Sequence, residues 1–228
     1  MRLPDNTTIR GIIFDLDGTL YRMAWFFQPL MFFSLMPHPF RLLHFLAERS
    51  KLAGKDTGSR EQLFETLCSN LADRIHFKPE QAREWILNRF YPAFIAAMPY
   101  QRTGRPQLVP TPAGLRERNI RLAVLSDYNA VNERLRMLRI PPEYFDPVSS
   151  CESAGALKPS SRPFTEIARQ WELPAENVLV VGDRDDTDGQ AARGAGMHFF
   201  RIAEHTDNVK PSLNVCTWPV LREKLLTF

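Results

Sequence analysis

Two aspartates stand two residues apart in the stretch GIIFDLDGTL, residues 11–20, directly after an apolar run. Carboxylates this close repel each other unless a positive group lies between them. We therefore expect Asp15 and Asp17 to belong to a site that holds a cation. Magnesium prefers hard oxygen ligands and often binds beside a phosphate, so the pattern indicates a magnesium ion and a transferred phosphoryl group.

Polar side chains follow three further apolar runs of the chain. Ser126 follows the run IRLAVL, Lys158 lies in the loop after a third run, and Asp183 follows the run NVLVVG. An aspartate can attack phosphorus to form an aspartyl phosphate, and a second carboxylic acid can protonate the departing alkoxide. A hydroxyl and an ammonium stabilise charge on the phosphoryl oxygens. The set predicts phosphoryl transfer to a carboxylate.

The elements that must position these side chains alternate between strands and helices. Strand-like runs cover residues 9–14, 120–125, 146–151, 177–182 and 198–202. Helical patterns separate the later runs, which predicts a parallel sheet with right-handed crossovers. The expected class is α/β, a Rossmann-like three-layer core. The carboxyl ends of its strands would share one crevice.

The stretch from about residue 21 to residue 98 breaks this alternation. It contains no strand pattern and several helical ones, among them a helix that begins with Ser59 and Gln62 at capping-box spacing. We predict an inserted all-helical cap over 21–99 and a discontinuous core over 1–20 and 100–228. The loop PYQRTGRP would lead back from the cap into the sheet.

Composition narrows the classes of function. The 228 residues are 44% hydrophobic and carry a net charge of +3 with scattered Lys and Arg, which does not indicate a nucleic-acid binder. Three cysteines without metal or disulfide spacing favour free thiols in a reducing compartment, and the N-terminus lacks an apolar signal core. We expect a cytoplasmic protein. The uncharged stretch 23–40 contains three prolines, so no transmembrane helix is predicted there.

Several motifs together resemble the haloacid dehalogenase-like hydrolase superfamily. They are DLDGTL, the serine at a strand end, Lys158 before Pro159, and the stretch VVGDRDDTDGQAARGAGM. The resemblance covers roughly residues 9–20 and 105–205. It implies that Asp15 is the nucleophile and a magnesium ligand. It also implies that Asp17 is the general acid and base, with its backbone carbonyl on the metal.

The same resemblance implies roles for the remaining polar residues. Ser126 would bind the phosphate, Lys158 would neutralise charge, and Asp183 would be an acidic metal ligand. Thr19 and Asp188 would support the site. The dehalogenases of the superfamily lack an acid two residues after the nucleophile and need no metal. This chain has that acid, so it resembles the phosphatase and phosphomutase branches.

We therefore predict a magnesium-dependent phosphatase that acts on a small phosphorylated metabolite through an aspartyl-phosphate intermediate. A phosphosugar mutase using the same residues is the nearest alternative, although nothing in the cap sequence indicates a site for two phosphates. Three departures or ambiguities remain. Asp127 stands where Asn or Gly is common in the family, and the roles of Asp185 and Asp186 are open.

An aromatic run in the cap leaves a third alternative. Its members are Trp25, Phe26, Phe27, Phe32 and Phe33. They could form the cap core, an apolar wall of the active-site crevice, or a homodimer or membrane-surface contact, and their periodicity does not separate these interpretations. Under the last of them, the protein would be a non-catalytic or peripheral-membrane binding module.

Overall fold

The computed structural model describes residues 7–101, 105, 108, 110–203 and 214–227 of the chain. Within these residues, six strands form one sheet in the order β3-β2-β1-β4-β5-β6, and all neighbours are parallel. The strands are β1 (Gly11–Phe14), β2 (Arg121–Ser126), β3 (Val148–Ser150), β4 (Val178–Gly182), β5 (His198–Ile202) and β6 (Val215–Cys216). The predicted α/β class with a parallel sheet is confirmed.

The central strands are buried on both faces, as their continuous apolar runs predict. Every residue of β1 and β4 is buried. Phe14 at the end of β1 lies in register with Val124 of β2 and Val181 of β4. The residues that follow these three positions therefore emerge at the same edge of the sheet.

Several strand ends differ from the predicted runs by one or two residues, and one strand was not predicted. The strand β6 was not predicted, because its two residues are too few to show an alternating pattern of apolar and polar side chains. The third strand ends at Ser150 rather than Cys151. Ser150 caps the following helix, since its Oγ accepts a hydrogen bond from the Ser153 amide at 3.0 Å, and Cys151 begins that helix.

The stretch between β1 and β2 is helical up to residue 100. Its α-helices are α1 (Phe27–Ser34), α2 (Phe40–Ser50), α3 (Arg60–Ile75), α4 (Pro79–Trp85) and α5 (Tyr91–Ala97). A π-helical turn joins α4 to α5, and a 3-10 turn follows α5. The stretch also contains isolated β bridges, among them those at Ala53 and Asp56. Much of the predicted return loop, namely 102–104 and 106, lies outside the described residues.

The long helix α3 forms as its sequence predicts. Ser59 Oγ accepts a hydrogen bond from the Gln62 amide at 3.2 Å and so satisfies one free donor of the first turn. Leu63, Leu67 and Leu71 repeat at helical spacing and are all buried.

The remaining helices belong to the sheet region. They are α6 (Pro110–Glu117), α7 (Val131–Met137), α8 (Cys151–Ala154), α9 (Arg162–Gln170), α10 (Gln190–Gly194) and α11 (Trp218–Thr227). A π-helical turn, Asp185–Gly189, precedes α10, so the predicted late helix begins as a wider turn. Cys68, Cys151 and Cys216 are buried and unpaired.

Among the described helices, none is both long and apolar enough to cross a membrane. The helix α1 in the uncharged stretch has only eight residues.

Candidate active site

Four polar side chains meet at the carboxyl edge of the sheet. Asp15 directly follows β1, Ser126 ends β2, and Asp183 directly follows β4. Lys158 comes from the loop between α8 and α9 and reaches the end of β2, where its Nζ donates to the Leu125 carbonyl at 3.0 Å. Asp15 is anchored by its own backbone, because its amide donates to the Val181 carbonyl at 2.9 Å.

Both oxygens of the Asp15 carboxylate are engaged. Thr19 Oγ1 donates to Oδ2 at 2.8 Å, and Lys158 Nζ donates to Oδ1 at 2.6 Å. Thr19 is in turn fixed by Arg105, whose guanidinium donates to the carbonyls of Gly18 and Thr19 at 2.6 and 2.8 Å. Asp15 is therefore held in one orientation in a buried position.

Three carboxylates form a compact cluster at this edge. One oxygen from each of Asp15, Asp183 and Asp188 lies within 4.8 Å of the others. Lys158 Nζ also lies 2.7 Å from Asp188 Oδ1, so one ammonium neutralises two of the three acids. Asp188, which the resemblance gave only a supporting role, is buried and belongs to the cluster itself.

Two glycines leave room for this cluster. Gly18 has φ +85°, and a Cβ there would lie 2.3 Å from Asp183 Oδ2. A Cβ on Gly182, at the end of β4, would lie 2.5 Å from the Asp188 side chain. Larger residues at either position would push an acid out of place, so the DG and GD pairs in the sequence allow close approach as well as a turn.

The cluster has the electrostatic character of a cation site. Burial raises the pKa of Asp15, the nearby carboxylates raise it further, and Lys158 only partly offsets them. Burial and the neighbouring Asp188 raise the pKa of Asp183 to about 6. Burial opposes the charged form of Lys158, but Asp15 and Asp188 outweigh it and raise the pKa of the ammonium. An added divalent cation would relieve the remaining repulsion, and all-oxygen ligands suit magnesium.

Asp17 points away from the three-acid cluster. Its Oδ1 accepts from the Tyr21 hydroxyl at 2.6 Å and from Arg134, and its Oδ2 accepts from Ser126 Oγ at 2.9 Å. Burial raises the pKa of Asp17, but Arg134 and the hydrogen bonds from Tyr21 and Ser126 outweigh it and lower the pKa. The carboxylate of Asp17 is thus outside the cluster, and metal binding through its backbone carbonyl stays a prediction.

Arg134 is a site residue that sequence reasoning missed. It lies on α7, its side chain is fully buried, and its Nη1 also donates to Ser126 Oγ at 3.0 Å. The guanidinium carbon stacks 4.3 Å from the centre of the Phe94 ring. One signal was present: Arg134 shares the apolar face of the helix with Val131 and Leu135, where a cation needs a buried partner.

The ion pair between Arg134 and Asp17 should be strongly coupled in stability. In a double-mutant cycle of Arg134→Met and Asp17→Asn, we expect a coupling of about 2–4 kcal/mol in the free energy of unfolding, measured by urea denaturation. The exposed pair of Arg193 and Asp185, 2.8 Å apart, is the matched control and should couple by less than about 1 kcal/mol. Equal coupling in both cycles would contradict a buried, specific pair.

Asp127 has a structural position that answers the question its sequence raised. Its Oδ1 accepts a hydrogen bond from the Lys158 amide at 3.0 Å, so its charge faces the lysine loop. Its carbonyl accepts from Arg49 of α2 at 2.6 Å, and Arg49 forms a buried ion pair with Glu152 of α8. Asp127 therefore fixes the loop that carries Lys158.

The other two acids of the last motif lie at the surface. Asp185 pairs with Arg193 at 2.8 Å, and Asp186 pairs with Arg184 at 2.6 Å. All four side chains are more than half exposed. These two acids take no part in the carboxylate cluster.

The aromatic run divides between interior and surface. Phe27 is buried and packs on Phe94, with ring centres 5.7 Å apart. Phe27 and Phe32 line an apolar cavity that also reaches Asp17. Trp25 and Phe33 are 88% and 68% exposed. The run therefore contributes both to the interior of the helical stretch and to a wall beside Asp17.

The comparison with protein families agrees with these motifs. A family profile described as haloacid dehalogenase-like hydrolase matches residues 9–196, which is most of the chain. The chain belongs to this hydrolase family. The resemblance noted in the motifs is confirmed, and the matched residues include every predicted site residue of the haloacid dehalogenase-like set.

Relatives in the family include two proteins named glyceraldehyde 3-phosphate phosphatase. The protein from Methanopyrus kandleri is 34% identical over 98 residues, which cover 42% of each chain. The protein from Methanocaldococcus jannaschii is 27% identical over 204 residues, which cover 85% of each chain. The match thus spans less than half of the first relative and most of the second.

A solved structure supports the fold. The crystal structure of 2-haloacid dehalogenase from Pseudomonas syringae pv. Tomato DC3000 matches with a TM-score of 0.59 and 23% identity, covering 90% of each chain. At this identity the likeness shows the fold alone. The choice between dehalogenase and phosphatase chemistry depends on the site residues.

Proposed function

We propose that the protein is a magnesium-dependent phosphatase that hydrolyses phosphomonoesters through an aspartyl phosphate on Asp15. The observation that carries this proposal is the position of Asp15 between Lys158 and two further acids, one buried and one half-buried, with a second aspartate on the opposite side. The names of the two archaeal relatives support the reaction class.

Asp15 would attack phosphorus with a carboxylate oxygen while the bond from phosphorus to the leaving oxygen breaks. Lys158 and the Ser126 hydroxyl would donate to the phosphoryl oxygens, where negative charge gathers in the transition state. Thr19 would keep the carboxylate in line by holding Oδ2. Without substrate, the Ser126 hydroxyl donates to Asp17 and Lys158 donates to Asp15, so phosphate binding would redirect these donors to the phosphoryl oxygens.

Asp17 would act as the general acid and then as the general base. It would give a proton to the leaving oxygen in the first step and take one from water in the second step, when water attacks the phosphoryl group. Its hydrogen bond with Ser126 places it beside the proposed phosphate position. In the structure it is held as a carboxylate by Arg134, which suits the base role directly.

The residues that would hold magnesium are Asp15, Asp183 and Asp188, with the backbone carbonyl of Asp17. Their fit is supported by the clustered, mutually repelling carboxylates described above, of which Asp15 and Asp188 are buried. When bound, the ion would offset the repulsion between an anionic nucleophile and a phosphate dianion.

The helical stretch 21–99 would serve as a cap over this site. Support comes from its polar contacts with the sheet region, where Arg49 binds the Asp127 carbonyl and Tyr91 donates to Glu152. The Asn129 amide also donates to the Tyr91 hydroxyl at 3.2 Å. A cap held this way would exclude bulk water during the reaction.

The proposed function is tested by phosphate release from an aryl phosphate, with magnesium and with a chelator. We expect turnover with magnesium and a loss of at least about hundredfold in kcat/KM without it. Phosphate release that is unchanged by the chelator would contradict the metal role. No release from any phosphomonoester would contradict the phosphatase itself.

Thermal unfolding gives a second readout that does not depend on activity. Since the pKa of Asp183 is raised to about 6, the metal-free folded protein holds that proton more tightly than the unfolded chain. Its stability therefore falls as pH rises through about 6, and magnesium would restore it. We expect saturating magnesium to raise Tm by about 5 °C at neutral pH and much less at acid pH.

The same measurement has a matched pair of variants. Asp183→Asn should abolish the magnesium-dependent rise in Tm, whereas Asp186→Asn, at an exposed neighbouring position, should retain it. A rise of the same size at acid and neutral pH, or in both variants, would contradict the proposed cation site.

A further inference from the structure

An apolar cavity opens beside Asp17. It has a volume of about 560 Å³ and lies between the helices of the cap and the end of β2. Its apolar lining includes Phe27, Met31, Phe32, Leu42, Leu46 and Phe94. Asp17 and Tyr128 line it as well, so the cavity and the polar site share a boundary.

The position of Asp17 decides which part of a substrate would enter this cavity. The proposed general acid must touch the leaving oxygen, because it protonates that atom. One Asp17 oxygen accepts a hydrogen bond from Ser126, which would bind the phosphate. Asp17 also lines the apolar cavity, so it lies between the proposed phosphate position and the cavity. A leaving group bonded to that oxygen would therefore extend from Asp17 into the cavity.

The lining offers little to a polar leaving group. Among the described residues that line the cavity, Asp17 is the only charged one, and Gln28 carries the only side-chain amide. Within the described lining, no lysine or arginine is present to bind a second phosphate or a carboxylate. Gln28 and Tyr128 are the polar side chains besides Asp17, so a sugar with several hydroxyls would lose more hydrogen bonds to water than it gains there, which costs free energy.

We propose that the substrates are phosphomonoesters of apolar alcohols, with an alkyl or aryl leaving group seated between α1, α2 and α5. This inference rests on the proposed function and narrows its substrate class. It differs from the substrate in the names of the two archaeal relatives, glyceraldehyde 3-phosphate, whose leaving group is short and polar. Apolar walls with one polar end are typical of sites that select by hydrophobic burial.

The first test compares butyl, hexyl and octyl phosphate with glycerol 3-phosphate on the wild-type protein. We expect kcat/KM to rise about two- to fourfold for each methylene that enters the cavity. Octyl phosphate should exceed glycerol 3-phosphate by at least about thirtyfold. Equal or faster turnover of glycerol 3-phosphate would overturn the inference and leave the phosphatase function in place.

The second test uses a pair of identical substitutions on the cap. Leu46 lines the cavity and is 38% exposed, whereas Leu87 is 43% exposed and does not line it. Leu46→Gln should lower the ratio of octyl to glycerol phosphate kcat/KM about fivefold or more, and Leu87→Gln should leave that ratio unchanged.

The outcomes of the two tests separate the claims. An unchanged ratio in Leu46→Gln would overturn the assignment of the leaving group to this cavity. Absence of phosphate release from every ester would overturn the proposed function and this inference with it. Because both leucines are partly exposed, neither substitution should unfold the protein, and circular dichroism checks this directly.

Discussion

Replacing Asp15 by Asn is expected to lower kcat for an aryl phosphate by at least about ten-thousandfold. The amide has no anionic oxygen with which to attack phosphorus, and no other described carboxylate follows β1 at the same place. The fold should survive, because the variant removes one of three mutually repelling acids and leaves Lys158 paired with Asp188. Phosphate release at saturating substrate measures the effect.

The matched control is Asp185→Asn in the same region of the sheet edge. Asp185 is exposed and pairs with Arg193 at the surface, so this variant should keep wild-type turnover. In the absence of magnesium, Asp15→Asn should also unfold at a temperature equal to or above that of the wild type, since repulsion in the cluster is reduced. Full activity in a folded Asp15→Asn variant would refute the nucleophile assignment.

Replacing Asp17 by Asn should cause the second-largest loss, about hundred- to ten-thousandfold in kcat. An amide cannot donate a proton to the leaving oxygen or accept one from water. Its oxygen can still accept the hydrogen bonds from Tyr21 and Arg134, and its NH2 group would then donate to Ser126 Oγ, so the geometry of the site should persist. Steady-state kinetics with aryl and alkyl phosphates measures the two roles separately.

The leaving group distinguishes these roles. A good aryl leaving group needs little protonation, so its first step should be less impaired than that of an alkyl phosphate. The second step lacks its base with either substrate, and a burst of aryl alcohol should precede slow turnover. Equal losses for both substrates with no burst would contradict the assignment of Asp17 as acid and base.

Much of the site was predictable because its residues follow strands of a parallel sheet. The apolar runs before Asp15, Ser126 and Asp183 determine strand positions, and parallel pairing brings their carboxyl ends to one edge. The meeting of Asp15 with Lys158, across 143 positions of sequence, follows from the same topology and from the motif. The position of these residues at one edge of the sheet could therefore be predicted from local sequence patterns.

The remaining features depend on packing that no short pattern encodes. Arg134 reaches Asp17 and Ser126 only through the tertiary position of α7, which packs against β3 and α5. The turn before α10 widens, and Asp188 in that turn enters the acid cluster. Asp127 turns toward the Lys158 amide rather than the phosphate position. In each case, the tertiary arrangement of helices selects one of several directions open to the side chain.

The apolar cavity was also not predictable from the sequence alone. The sequence predicted that the aromatic run could form a core, a crevice wall or a surface contact. The structure buries Phe27, places Phe32 on the cavity wall and leaves Trp25 exposed. When a short helix has apolar residues on several faces, the spacing of those residues does not show which of them will be buried, line a cavity or remain exposed.

The most direct measurement asks whether Asp15 itself carries the phosphoryl group. Wild-type protein would be quenched in acid during turnover, reduced with borohydride, and digested for peptide mass spectrometry. An acyl phosphate is reduced to an alcohol, so we expect conversion of Asp15, and of no other aspartate, to homoserine. Homoserine at Asp17 or Asp183 instead, or its absence from all positions in samples that release phosphate, would show that Asp15 is not the nucleophile.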